Sequence, residues 1–254
     1  VIVARPIILR TRSRTLSRPM SGSLPLRALV VEENAAARQF MVRVVRESFS
    51  DEITFSEAAD LDAARHLLGL GEHGTQRRPD AARFDLVLCD LESADGEGLA
   101  LLSQLSEDPA IKVATTLHSD DEHLFPALQC GANGYLLKED RFEVLVEELQ
   151  KIARGQPSLS PAMARRMLAF FREIAAVGDP LREPVADLST VVLADRERDV
   201  LALLSKGYAV KEIARQLGIA WFEVNDHLRT AWRKLVLASS PEAALMEARR
   251  VLNG

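Results

Sequence analysis

Between Leu26 and Ala153 the chain repeats one pattern five times: a short apolar run, a polar turn, then a helical segment. The apolar runs are LRALVV at 26–31, ITFSEA at 53–58, FDLVLCD at 84–90, IKVATTL at 111–117 and GYLL at 134–137. Short apolar runs bounded by turn residues are expected as strands buried on both faces. Helices are expected over about 35–49, 59–69, 97–106, 120–130 and 140–153, the first with Asn34 as its N-cap. Strands that alternate with helices pair in parallel, and right-handed crossovers cover both faces of the sheet. The expectation is an α/β domain over 26–153 built on a doubly wound, five-stranded parallel sheet.

A different pattern follows. RGQPSLSPAM opens a connector over 154–189, in which Ser160 and Pro161 suit a helix start. GDPLREPVADLST at 178–190, with two prolines and a glycine, marks a boundary. Residues 190–254 are expected as a second, all-α domain of four helices near 195–206, 210–217, 221–236 and 241–252, with Gly207 and Gly218 as breaks.

Net charge decides how many modules to read. The whole chain carries −5 over 254 residues, which argues against a nucleic-acid partner. Resolved along the chain, residues 28–153 hold 11 basic and 25 acidic side chains, whereas 190–254 hold 10 basic and 8 acidic. An acidic body joined to a weakly basic piece is a modular protein. Residues 1–27 add six arginines and no acid. Their apolar stretch is broken by Arg5 and Pro6, too weakly for a secretory segment. Residues 1–25 are expected as a disordered or non-native extension, with 1–19, ahead of Met20, an over-read of the frame; a basic arm for DNA is the alternative. With no run of 18 apolar residues, nothing in the sequence is expected to span a membrane. The two cysteines, Cys89 and Cys130, are expected in the core and fit a reducing cytoplasm. The five histidines show no metal-ligand spacing.

In a doubly wound sheet chemistry collects outside the carboxyl ends of the strands. There stand Glu32 and Glu33 after the first strand, Asp90 ending the third, and Thr116 and Lys138 near the ends of the fourth and fifth. Three carboxylates brought together repel, and magnesium would relieve that cost while neutralising phosphoryl oxygens during attack by one of them. A lysine supplies a point charge for a phosphoryl group, and a threonine hydroxyl hydrogen-bonds one of its oxygens.

VVEEN, FDLVLCDLESADGEGL and VATTLHSDDEHLFPALQCGANGYLLKED together resemble the receiver domain of bacterial response regulators over about 26–153. The resemblance implies flavodoxin-like strand order and phosphoryl transfer from a sensor histidine kinase onto Asp90. It further implies a metal site of Glu32, Glu33 and Asp90, and a relay through Thr116 and Tyr135 beside Lys138. The sequence departs from the pattern where Glu32 and Glu33 replace the usual aspartates and Ala94 replaces a proline. A glutamate displaces its carboxylate by one methylene, which strains magnesium's octahedral shell.

In the second domain two short helical patterns joined at Gly218 suit a helix-turn-helix, with Ile213, Ala214, Leu217, Val224 and Leu228 packing the pair. Leu193, Arg196 and Glu197, the string KEIARQLGI at 211–219, and Val224, His227, Leu228, Lys234 and Leu235 resemble the LuxR-type helix-turn-helix of the NarL/FixJ class. The candidate DNA-facing positions are Lys211, Ala220, Trp221, Glu223, Asn225, Asp226, Arg229, Arg233 and Lys234. Glu223 and Asp226 put negative charge where phosphates approach, although Asn225 suits adenine. Trp232 is expected in the core, Trp221 as an exposed contact. Ala244, Leu245, Ala248 and Val251 offer a face for pairing two effector domains over a two-fold operator.

The leading expectation is therefore a two-component regulator, a phosphoryl acceptor rather than a stand-alone enzyme, acting as a homodimer on double-stranded DNA away from membranes. Two alternatives stand beside it: a phosphorylation-independent regulator, and an interaction protein that sequesters a partner without binding DNA.

Overall fold

The computed structural model describes residues 25–49, 52–70, 83–92, 98–119, 121–156, 159–176 and 192–239. Five strands, β1 (Leu26–Val31), β2 (Ile53–Ala58), β3 (Leu86–Asp90), β4 (Ile111–Thr116) and β5 (Gly134–Leu137), form one parallel sheet in the order β2-β1-β3-β4-β5. That is the flavodoxin-like order. All five apolar runs are strands, the third and fourth trimmed slightly at their ends.

Alternation along the strands creates two cores. Leu29, Val31, Val87, Cys89 and Ala114 pack on one face with α2 (Leu61–Leu68), α3 (Gly98–Gln104) and α4 (Asp121–Gln129). Ala28, Val30, Leu86, Leu88, Val113 and Leu136 pack on the other with α1 (Ala35–Ser48) and α5 (Phe142–Ala153). Cys89 and Cys130 are buried in the first core, and burial pushes each thiol up to about 12. Both are therefore inert packing groups at neutral pH.

Local chemistry sets the helix ends. Asn34 Oδ1 accepts from Ala36 N at 2.9 Å and Ala37 N at 3.0 Å, satisfying two donors the first turn leaves open. Asn34→Ala is expected to cost about 1 kcal/mol, read as a lower urea midpoint with unchanged slope. Ser160 Oγ accepts from Met163 N at 3.0 Å to start α6 (Pro161–Ala176). A Cβ at Gly98 would lie 2.2 Å from the Asp90 carbonyl oxygen, so only glycine lets α3 begin against that strand end.

The second domain contributes α7 (Asp195–Ser205), α8 (Val210–Leu217) and α9 (Trp221–Ala238). Each starts at an alanine whose backbone N–H donates to the glutamate three residues on: Ala194 to Glu197, Ala209 to Glu212 and Ala220 to Glu223. Gly218, at φ 66°, closes α8 and makes the turn into α9. Ile213, Ala214, Val224 and Leu228 are buried between the two helices, with half-buried Leu217 against them. Residues 1–24, Ala94, the boundary at 178–190, and the expected helix 241–252 with Ala244, Leu245, Ala248 and Val251 lie outside the described residues.

Candidate functional site

The ends of β1, β3, β4 and β5 converge on one ammonium group. Lys138 Nζ lies 2.6 Å from Asp90 Oδ1, 2.7 Å from Glu32 Oε2 and 3.1 Å from Glu92 Oε2. Register brings these groups together. Asp90 pairs with Thr115, Thr116 pairs with Leu137, and Lys138 N donates to the Thr116 carbonyl at 2.8 Å. Glu32 follows β1, held where its own N–H donates to Ala58 O at 3.1 Å.

Electrostatics follow from this packing. Burial pushes the Asp90 carboxyl up to about 6, and the nearby Glu32 charge adds to the rise. The Lys138 ammonium and the Glu92 backbone N–H, 3.0 Å from Asp90 Oδ1, pull the other way without cancelling it. Burial alone would lower Lys138, but Asp90, Glu32 and Glu92 outweigh it and hold the ammonium above the ordinary lysine range. Asp90 is thus a carboxylate poised near neutrality beside a fixed cation.

Of the five residues expected at this pocket, four come together: Glu32, Asp90, Thr116 and Lys138. Glu33 does not; it is exposed, and its carbonyl accepts from Arg38. Among the described residues no group of three or more His, Cys, Asp or Glu side chains is set to hold a metal ion. The expected magnesium site of Glu32, Glu33 and Asp90 therefore does not fit the arrangement present. Lys138 already occupies the space between two of the acids, Glu32 and Asp90, and the third, Glu33, is exposed. A residue absent from the sequence-based expectation takes part instead. Glu92 Oε1 accepts from the Thr116 hydroxyl and the Leu117 N–H, and Oε2 faces Lys138. These contacts outweigh the effect of burial and hold the Glu92 carboxyl below its usual range. The signal in the sequence was an acid two residues past Asp90, in the loop after the strand that ends at the pocket.

The second candidate surface is α9. Asn225, Arg229, Trp232 and Val236 recur at helical spacing, and that face lies on the first domain. Trp232 Nε1 donates to the Ala132 carbonyl at 3.0 Å, and Arg229 and Val236 reach Gly155 and Gly131. Asn225, Trp221 and Lys211 line a cleft of about 660 Å³ together with Tyr135, Asp140 and Glu148. Asn225 is 9% exposed, so the residue expected to meet adenine is turned toward the first domain. Trp221, at 52%, remains exposed. Lys234 donates to Glu197 Oε2 at 2.8 Å and Val192 O at 2.9 Å, which ties α9 to the start of α7. Glu223 caps α9, Asp226 pairs with Arg229, and Lys211 and Arg233 remain exposed. Ala220 is the N-cap position of α9, and half-buried Tyr135 packs against the first core.

Residues 28–150 match the family model described as response regulator receiver domain, and residues 191–247 match bacterial regulatory proteins, luxR family. An oxygen regulatory protein NreC of Staphylococcus carnosus is 31% identical over 207 residues, covering 78% of this chain and 89% of the relative. A nitrate/nitrite response regulator protein NarL of Escherichia coli is 30% identical over 229 residues, covering 89% and 96%. An uncharacterized transcriptional regulatory protein, YhcZ, of Bacillus subtilis is 34% identical over 172 residues, covering 67% and 76%. Receiver pocket, helix-turn-helix and full-length relatives agree, and the chain belongs to the bacterial response regulators that join a receiver domain to a luxR-family regulatory domain.

Proposed function

We propose that Asp90 accepts a phosphoryl group from a sensor histidine kinase and that this event controls DNA binding by the helix-turn-helix. The observation that carries the reading is the Asp90–Lys138 contact of 2.6 Å at the carboxyl ends of the strands. One carboxylate oxygen is there fixed beside a cation able to neutralise an incoming phosphoryl group. Neither matched family is a catalytic domain, so the chain is a regulator and phosphoryl acceptor rather than a stand-alone enzyme.

The effector part of the proposal rests on α9. Lys211 and Arg233 present positive charge, and Asn225 and Arg229 join them once their face leaves the receiver. Two copies of the chain on a two-fold operator would double these contacts, with Ala244, Leu245, Ala248 and Val251 supplying the pairing face. Among the described residues no helix is long and apolar enough to cross a membrane, and a cytoplasmic location is part of the proposal.

The test uses the full chain with acetyl phosphate in magnesium-containing buffer. Wild type incorporates phosphoryl and Asp90→Asn does not, while both melt alike; equal labelling of the variant would remove Asp90 from the role. The ionised form of Asp90 is the nucleophile, and burial pushes its carboxyl up to about 6. Initial labelling should therefore climb about tenfold from roughly pH 5 to roughly pH 7, with its midpoint near the Asp90 value. A gel shift with the protein's own promoter region, with and without acetyl phosphate, tests the DNA step. A complete lack of shift at low salt would favour the sequestering reading.

A further inference from the structure

We propose that Glu92 is an internal ligand of the phosphoryl-binding pocket, holding the donors that a phosphoryl group on Asp90 would need. The inference rests on the reading of Asp90 as acceptor and adds a competitor to it. Three donors meet in the pocket: the Thr116 hydroxyl, the Leu117 backbone N–H and the Lys138 ammonium, the last also 2.6 Å from Asp90. All three are engaged by one carboxylate, that of Glu92. Thr116 is 1% exposed, so with Glu92 in place its hydroxyl is satisfied by that carboxylate and not by water. The Leu117 N–H sits at the strand end as a fixed backbone dipole. A planar carboxylate with two anionic oxygens thus occupies a cradle suited to the oxygens of a tetrahedral oxyanion.

Charge makes the two occupants exclusive. Asp90, Glu32 and Glu92 already share a single ammonium. In the labelling step an Asp90 oxygen bonds to phosphorus as the P–O bond of acetyl phosphate breaks, and acetate leaves with the electron pair. The product puts two phosphoryl charges where Asp90 had one. Glu92 therefore has to give up Thr116, Leu117 and Lys138 before those donors can serve the phosphoryl oxygens. The glutamate sets a threshold for modification, and its side chain is 21% exposed, leaving it a path to solvent.

The experiment compares full-length wild type, Glu92→Gln and Glu92→Ala by labelling with radioactive acetyl phosphate and by the amide proton shift of Leu117. Glu92→Ala is expected to label at least tenfold faster than wild type, with Glu92→Gln in between. Its Leu117 amide should move upfield before any phosphodonor is added. Equal rates in the three proteins, each shown to be folded by its melting curve, would overturn the proposal. Should none of them label, the acceptor reading of Asp90 fails, and inorganic phosphate decides the fate of Glu92 separately. Phosphate binding at Leu117 at least tenfold tighter in Glu92→Ala than in wild type supports the internal ligand, and equal binding overturns it.

Discussion

Lys138→Met lowers the stability of the folded chain by about 3–5 kcal/mol at pH 7, the cost of leaving buried charges without their partner. The lysine side chain is 12% exposed and touches Asp90, Glu32 and Glu92 at 2.6, 2.7 and 3.1 Å. Methionine keeps most of the volume and removes the charge, so packing changes little and three carboxylates repel across one small pocket. The loss is pH-dependent in a defined sense. Burial already pushes the Asp90 carboxyl up to about 6, and without the ammonium that opposes this it rises further above its unfolded value, so the folded variant binds more protons between about pH 7 and pH 5. Stability of the variant relative to wild type therefore rises on acidification through that window. Urea unfolding at the two pH values measures this, and an unchanged midpoint at pH 7 would show that the pocket does not depend on its cation.

Trp232→Ala separates the two halves of the molecule. The indole is 7% exposed, and its N–H reaches across the chain to the Ala132 carbonyl at 3.0 Å. Truncating a buried tryptophan costs about 3–5 kcal/mol, of which the hydrogen bond to a buried carbonyl is about 1 kcal/mol. Because Trp232 belongs to α9 and Ala132 to the receiver, part of this energy is domain docking. Small-angle scattering should report a larger radius of gyration for the variant. Gel shifts should report tighter DNA binding without phosphodonor, since Asn225 and Arg229 lie on the face that is released. Trp232→Phe, which keeps most of the ring and loses the donor, should show a fraction of each effect. A variant that binds DNA as wild type does while its scattering is unchanged would show that the docked face does not restrain the helix.

The receiver was legible because its signals are local. Apolar runs of strand length and turn residues are written in neighbouring positions, and five strands emerged where five were expected. Helix boundaries in the effector followed from the same kind of information, with Gly207 and Gly218 as breaks, and both glycines adopt the left-handed conformation, at φ 92° and 66°. Asp90, Thr116 and Lys138 could be placed at one end of the sheet, because parallel strands all end there.

Contacts across the sheet and between domains were less legible. Glu32 and Glu33 are adjacent letters with the same side chain, yet one is buried against Lys138 and the other is exposed. Which of two neighbours turns inward depends on how the loop leaves β1. Lys112 was expected simply as part of a strand. It is 4% exposed, with its ammonium donating to the Leu105, Ser106 and Asp108 carbonyls in the turn that follows α3. Lys234, a candidate for DNA, pairs instead with Glu197, 37 positions earlier in the chain.

Strand and helix placement, module order and the position of Asp90 at a strand end follow from the linear pattern, since backbone hydrogen bonding and side-chain periodicity act over a few residues. The self-occupied pocket and the inward-turned face of α9 required the folded chain. Glu92 meets Leu117 across 25 positions and Trp232 meets Ala132 across 100, and the energy of such contacts depends on burial and alignment that no neighbouring residue encodes.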